Sequence, residues 1–305
     1  MVASGPAGPR RRLGAELRRL RTGKGLHLDA VAHQLRCSAS KISRLETGKG
    51  IPKPADVRAL IRLYDVTGDA EREMLLRLVR ESRTEGWWQT YTEGVAPERF
   101  FLDAPGRYAA LETDAVGLRS FDLSILNGVL QTEDYARAVM TAQLPRRSSE
   151  EIDQLVEMRM RRQEALHRPV PLRLDMIVDE SALARVVGSR SVMAAQVRWL
   201  LDLMDLPTVS IRLVAFDAGI HRAHMGHFVI LEIPDDLGSD VVYFEGHAGE
   251  SFLDGPSEVD AYDDVFAEVS GLALDARASR AAVRRYLDDY APRGKAQPYD
   301  RVQDQ

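Results

Sequence analysis

Leu28-Asp-Ala-Val-Ala-His-Gln-Leu35 and Ser38-Ala-Ser-Lys-Ile-Ser-Arg-Leu-Glu46, with only Arg36 and Cys37 between them, decide the fold of the first part of the chain. In the first run Leu28, Val31, Ala32 and Leu35 recur at i, i+3, i+4 and i+7, the stripe of one buried helix face. In the second, Ser38 is suited to cap a helix, Ile42 and Leu45 point inward, and Gly48 stops it. Two short helices joined by so tight a turn form a helix-turn-helix unit, whose second helix enters the major groove of DNA. With Ile42 and Leu45 in the core, Ala39, Ser40, Lys41, Ser43 and Arg44 face outward. Arg and Lys can donate to guanine, Ser can donate or accept, and Ala fits a thymine methyl. The expected DNA contacts are Ser38, Ala39, Ser40, Lys41, Ser43, Arg44 and Lys49. The alternative is a solvated basic helix that touches nothing.

Working outward, Leu13, Leu17 and Leu20 mark a helix that ends at Gly23–Gly25. Another follows Pro54 with Val57, Leu60, Ile61 and Tyr64, and a fifth runs from Ala70 to Arg83 with Met74, Leu75, Leu78 and Val79. The spacing predicts an all-α five-helix domain over residues 10–86. Charge agrees with its use: residues 1–86 hold 18 Lys and Arg against 10 Asp and Glu, a net of +8, whereas residues 87–305 hold 23 against 36, a net of −13. One half suits a polyanion and the other would be repelled by it. Trp87-Trp88 then reads as a packing hinge, and the absence of a Pro/Ser-rich linker predicts a stiff boundary near residue 86.

These residues carry a resemblance. Leu28 to Leu35, then Ser38 to Glu46, then Gly48 and Pro52, resemble the Xre/Cro-repressor helix-turn-helix family. Two positions depart from it. The turn residue, usually Gly, is Arg36, which predicts a left-handed backbone on a non-glycine residue. Helix two begins with Leu28 where these repressors often place a phosphate-contacting Gln, so that contact does not carry over. Arg21 and Glu46 match a pair that links helix one to the end of helix three in such repressors; the bland reading is two unrelated surface charges.

Beyond Trp88, helix patterns fall at Arg107–Arg119, Thr132–Gln143, Ser149–Leu166, Arg190–Met204, Glu258–Ser270 and Ala276–Asp289. Strand patterns fall at Leu172–Val178, Val209–Phe216, His227–Ile233 and Asp240–Glu245. The last three strands are joined by loops alone, which favours antiparallel pairing. This predicts a larger α+β domain, residues 87–292, with a small, mainly antiparallel sheet, and a disordered tail at 293–305. Leu130 to Ala138, Arg159 to Gln163, Asp179 to Leu183 and Val241 to Glu245 resemble the uncharacterised, DUF5753-like domain of actinobacterial Xre-type regulators. That resemblance implies a transcription regulator, often encoded beside a small companion protein, with no effector assigned.

The chain of 305 residues has 45% hydrophobic and 29% charged residues, as a globular protein does, and its single Cys37 excludes an internal disulfide. No apolar run is long enough for a membrane span, so a cytoplasmic protein that does not contact membrane is expected. No nucleophile elbow, P-loop, Rossmann glycine fingerprint or His-Glu-x-x-His motif occurs. His221, His224 and His227, with His247 later, lie on an interstrand loop, where a polar loop explains them better than metal. Glu232 and Glu245 end hydrophobic strands; a carboxylate there is usually solvated, though Glu245 could serve NAD-using chemistry. Arg159, Arg161 and Arg162 share a helix with Glu150, Glu151, Asp153 and Glu157, so intrahelical salt bridges are the default and an anionic ligand or acidic partner the sharper alternative. The candidate ligand or partner residues are Arg159, Arg162, Gln163 and Glu245. The sequence thus reads as a DNA-binding transcription regulator, not an enzyme, with no cofactor, metal or catalytic residue. It would bind a double-stranded operator as a homodimer, with subunit contacts from the larger domain, and its C-terminal domain would sense a ligand or a small companion protein. The rivals are an ADP-ribosyltransferase-like enzyme tethered to DNA, and an antitoxin-type protein-interaction module.

Overall fold

A computed structural model describes residues 7–83, 86–92, 105–234, 238–246 and 249–291. The tail expected at 293–305 lies outside the described residues, as does His247. Among the described residues the N-terminal region is helical, with α1 Ala7–Gly23, α2 Leu28–Gln34, α3 Ala39–Glu46, α4 Pro54–Leu63 and α5 Asp69–Glu81. Their apolar stripes meet in one core of Leu13, Leu17, Val31, Ile42, Val57, Leu60, Leu75 and Leu78. Pro54 opens α4 at its first turn, where its missing N–H costs nothing.

The rest is an α+β layer structure around a six-stranded sheet. Its strands are β1 Gly117–Asp122, β2 Arg173–Asp179, β3 Val209–Val214, β4 Phe228–Glu232, β5 Val241–Gly246 and β6 Gly249–Leu253, in spatial order β3-β2-β1-β4-β5-β6. Helices α6 Gln89–Thr92 and α7 Pro105–Asp114 precede it. Helices α8 Glu133–Gln143 and α9 Ser149–Arg162 link β1 to β2. The short α10 Glu180–Ala184 and α11 Arg190–Leu203 link β2 to β3, and α12 Pro256–Leu272 and α13 Ala276–Tyr290 follow β6. One sheet face, with Leu118, Leu174, Met176 and Val229, packs on α8, α11 and α13 through Tyr135, Val197, Leu200 and Val283. The other, with Phe121, Ile177, Ile230 and Val242, is covered by Val259, Phe266 and Val269 of α12.

The sheet corrects the sequence expectation: it is neither small nor mainly antiparallel, but mixed. β1, β2 and β3 pair in parallel, whereas β4, β5 and β6 extend the sheet antiparallel from β1. Helical crossovers of the length parallel neighbours need stand between β1, β2 and β3 in the chain. The loop-joined β3 and β4 are not neighbours: two 3₁₀ turns, Phe216–Ala218 and Arg222–Met225, carry the chain from the sheet edge back to the centre. The helix expected over Arg107–Arg119 ends at Asp114, and its last residues belong to the central strand β1.

Candidate nucleic-acid interface and a buried arginine cluster

Local chemistry sets the angle of α3. Ser38 accepts the Lys41 N–H at 3.2 Å, capping the helix, and Arg36 takes φ +51°, the left-handed turn expected there. Arg21 of α1 grips Glu46 at the end of α3 through two hydrogen bonds of 2.7 and 2.9 Å, with a third to the Leu26 carbonyl at 2.7 Å. The two residues are 9% and 8% exposed, so they are a desolvated pair rather than surface charges. α1 comes so close here that a Cβ on Gly14 would stand 2.5 Å from the Glu46 carbonyl oxygen. Glycine is required by approach, not by its own backbone angles.

On the outer face, Ser38, Ser40, Arg44 and Lys49 are exposed and Ser43 is half-buried, whereas Ala39, expected to face outward, is half-buried and packs against the helical core. The Arg44 and Lys49 side chains meet no carboxylate among the described residues. Lys41 differs: its Nζ lies 2.8 Å from the Asp56 carboxylate on α4, a partner that sequence spacing did not reveal.

In the α+β region Arg159, Arg162 and Gln163 lie together at the end of α9, with Glu245 acting on Arg159 only through its charge, and none of the three arginines of α9 bridges within its own helix. Arg162 makes a two-pronged pair with Glu112 of α7, both bonds 2.7 Å, and lies over the Tyr108 ring at 4.6 Å. Burial opposes its charge, but Glu112 outweighs this and raises the pKa of the guanidinium. Arg161 is exposed and lies over Trp87 at 5.1 Å. Arg159 donates to the neutral Gln131 oxygen at 2.9 Å, and Gln163 donates to the Gln131 carbonyl at 2.5 Å. Burial first, and then the Arg162 charge, lower the Arg159 pKa to about 10, against the pull of Glu245. Glu245 itself accepts the Tyr243 hydroxyl. Gly128 lies against both arginines: a Cβ there would be 2.8 Å from Arg162 Nη1 and 3.4 Å from Arg159 Nε.

Sequence reasoning missed the polar partners of this cluster. Gln131 and Glu112 are buried, as is Gln196, which clasps the same loop by donating to the Leu130 carbonyl at 2.7 Å and accepting the Thr132 N–H at 2.7 Å. Only a buried polar residue flags such a role, and burial is not legible from one sequence. Elsewhere, Glu232 pairs with Arg119 and Arg173, each at 2.9 Å, which gives it a structural use. His221 is buried edge-on against Phe121, and His224 points its Nδ1 at the His221 carbonyl, 2.6 Å away. Among the described residues no three His, Cys, Asp or Glu side chains come together as metal ligands. No described helix is long and apolar enough to cross a membrane.

A tight pair of helices with an outward basic face on the second defines a helix-turn-helix protein of the DNA-binding class, and residues 12–75 match the model of a helix-turn-helix domain family. Residues 105–285 match the model of a domain of unknown function, DUF5753; this match spans more than half of the chain, which belongs to that family. No curated protein and no solved structure matches the chain.

Proposed function

We propose that the protein is a sequence-specific transcription regulator in which residues 10–86 bind operator DNA and residues 87–292 sense a ligand or a protein partner. The observation that carries this reading is the exposed Arg44, which meets no carboxylate among the described residues, on a helix whose angle is locked from behind by the Arg21–Glu46 pair. A bidentate Arg–guanine contact needs such an orientation, because the guanidinium fork must meet two base-edge acceptors at once. Ser40 lies one turn earlier, and Ser38 and Lys49 flank the helix where phosphates would pass. Homodimerisation follows from reading paired half-sites.

The test is binding of each variant to a selected operator and to a scrambled duplex across a salt series. Arg44→Ala and Ser40→Ala are expected to cost about 1–3 kcal/mol each on the operator and little on the scrambled duplex. Equal losses on both would mean that α3 positions the protein without reading bases. Sedimentation of the full chain, free and on operator, checks the dimer.

A further inference from the structure

Two guanidinia meet in the arginine cluster with one close carboxylate between them. Glu112 is fully committed to Arg162 through both of its oxygens. Arg159 is half-buried, and its one hydrogen bond goes to an uncharged amide oxygen. Its remaining N–H groups have no partner among the described residues, and no carboxylate there lies within ion-pair distance of it. A guanidinium taken partly out of water beside a like charge is costly unless something compensates it. Glu245 acts on it only at longer range, with one oxygen already accepting from Tyr243. The arrangement is held rather than incidental: Gln131, which orients Arg159, donates its own amide to the Leu126 carbonyl at 2.6 Å, and Gly128, lacking a side chain, lets both guanidinia pack directly against its backbone.

The same helix that neutralises Arg162 also holds α1. Asp114, two residues beyond Glu112 on α7, accepts the buried Gly8 N–H at 2.5 Å, at the start of α1 where a carboxylate is favoured. Arg168 ties the end of α7 by donating to the Thr113 and Ala115 carbonyls at 2.9 and 2.6 Å. From Gly8, α1 runs without a break to Gly14 and Arg21, two of its points of contact with the end of α3.

We propose that Arg159 and Arg162 form the binding site of a small anion bearing carboxylate or phosphate oxygens, and that its occupancy is passed through Glu112 and Asp114 of α7 to α1 and so to α3. The assignment rests on reading residues 87–292 as a sensor. A ligand with two anionic oxygens satisfies the free fork of Arg159 and competes with Glu112 for Arg162. That competition shifts α7, and with it the carboxylate that holds α1.

The experiment uses the full chain with inorganic phosphate, pyrophosphate and succinate as probes, at constant ionic strength set with chloride. Calorimetric titration reads binding, and amide hydrogen exchange reads residues 7–23 and 39–46. At least one probe is expected to bind saturably, and the phosphates against succinate distinguish the two anion classes. Arg159→Gln is expected to weaken that binding at least tenfold, and Arg159→Lys, which keeps the charge but loses the fork, to weaken it comparably while preserving the fold. Arg161→Ala, on the exposed side of the same helix, should leave it unchanged. No saturable binding by any probe, or equal binding by Arg159→Lys, overturns the site. Arg159-dependent binding with no change of exchange in α1 or α3 upholds the site but overturns the relay and the sensor reading with it. A change of exchange in α3 on Asp114→Asn, with no probe binding, keeps the sensor reading and rejects the anion.

Discussion

Arg21 and Glu46 matter more than their place behind α3 suggests. A buried ion pair is strongly coupled because losing one partner strands the other charge away from water. Either Ala substitution is therefore expected to cost about 3–5 kcal/mol, against under about 1 kcal/mol for an exposed pair. A double-mutant cycle read by urea unfolding decides it, and a coupling near zero would mean that water reaches the pair. Asp122 is the second residue of consequence. It is 3% exposed on the central strand, and burial raises its pKa to about 7, despite hydrogen bonds from the Asn127 N–H at 2.7 Å and the Ser120 hydroxyl at 3.0 Å. Between pH 4 and 7 the folded protein therefore binds a proton that the unfolded chain has released. This contribution to stability is full below the unfolded pKa and is lost as pH rises towards 7. Asp122→Asn should flatten that slope and add up to about 4 kcal/mol of stability at pH 8, measured by denaturant unfolding from pH 5 to 8. An unchanged slope would place the titration elsewhere.

At the scale of elements, α3 illustrates both what periodicity reveals and what it hides. The inward pair Ile42 and Leu45, the Ser38 cap and the stop at Gly48 are all local signals, and the helix follows them. The Lys41–Asp56 ion pair joins α3 to α4 across a loop, so no local pattern announces it. It makes a specific prediction. Asp56→Asn should release Lys41 to a phosphate, raising affinity for every duplex and steepening the salt slope by about one unit; Lys41→Ala in that background should return it. A slope that does not move would show that Lys41 does not reach DNA. The sheet was legible where its strands are apolar, as in β2 and β4. β1 was hidden because Ser120 and Asp122 are buried polar residues on one face and Arg119 interrupts the other, leaving neither alternation nor an apolar run. β6 was hidden because all five of its residues are only partly buried at the sheet edge. Strand order was not legible at all, since pairing is decided by crossovers that a sequence pattern does not record. Within the arginine cluster, Arg159, Arg162 and Gln163 are neighbours because they share one helix end, while the glutamines and Glu112 that hold them emerge only from tertiary packing.

For the molecule as a whole, the question is how two differently charged halves share one helix. The core beneath α3 closes on itself: its buried members run from Leu13 to Val79 and include nothing from the α+β region. Among the described residues, the first turns of α1 cross over, where Ala7 packs near Trp88, Gly8 meets Asp114 and Arg11 donates to the Ser239 carbonyl. A fragment of residues 1–86 should therefore fold cooperatively and remain helical, with amide exchange accelerated most over residues 7–11 and to a lesser degree along the rest of α1 and in α3. Its net charge of +8 also predicts tighter binding to non-operator duplex than the full chain, which adds a net of −13, with a steep loss on adding salt. Circular dichroism, exchange and a salt series on fragment and full chain provide the measurements. An unfolded fragment would mean that α1 needs the α+β region to form, so that the two halves are one folding unit. Equal non-operator affinity would mean that the acidic half stands too far from the duplex to repel it, and that any control it exerts must travel through α1 rather than through the field.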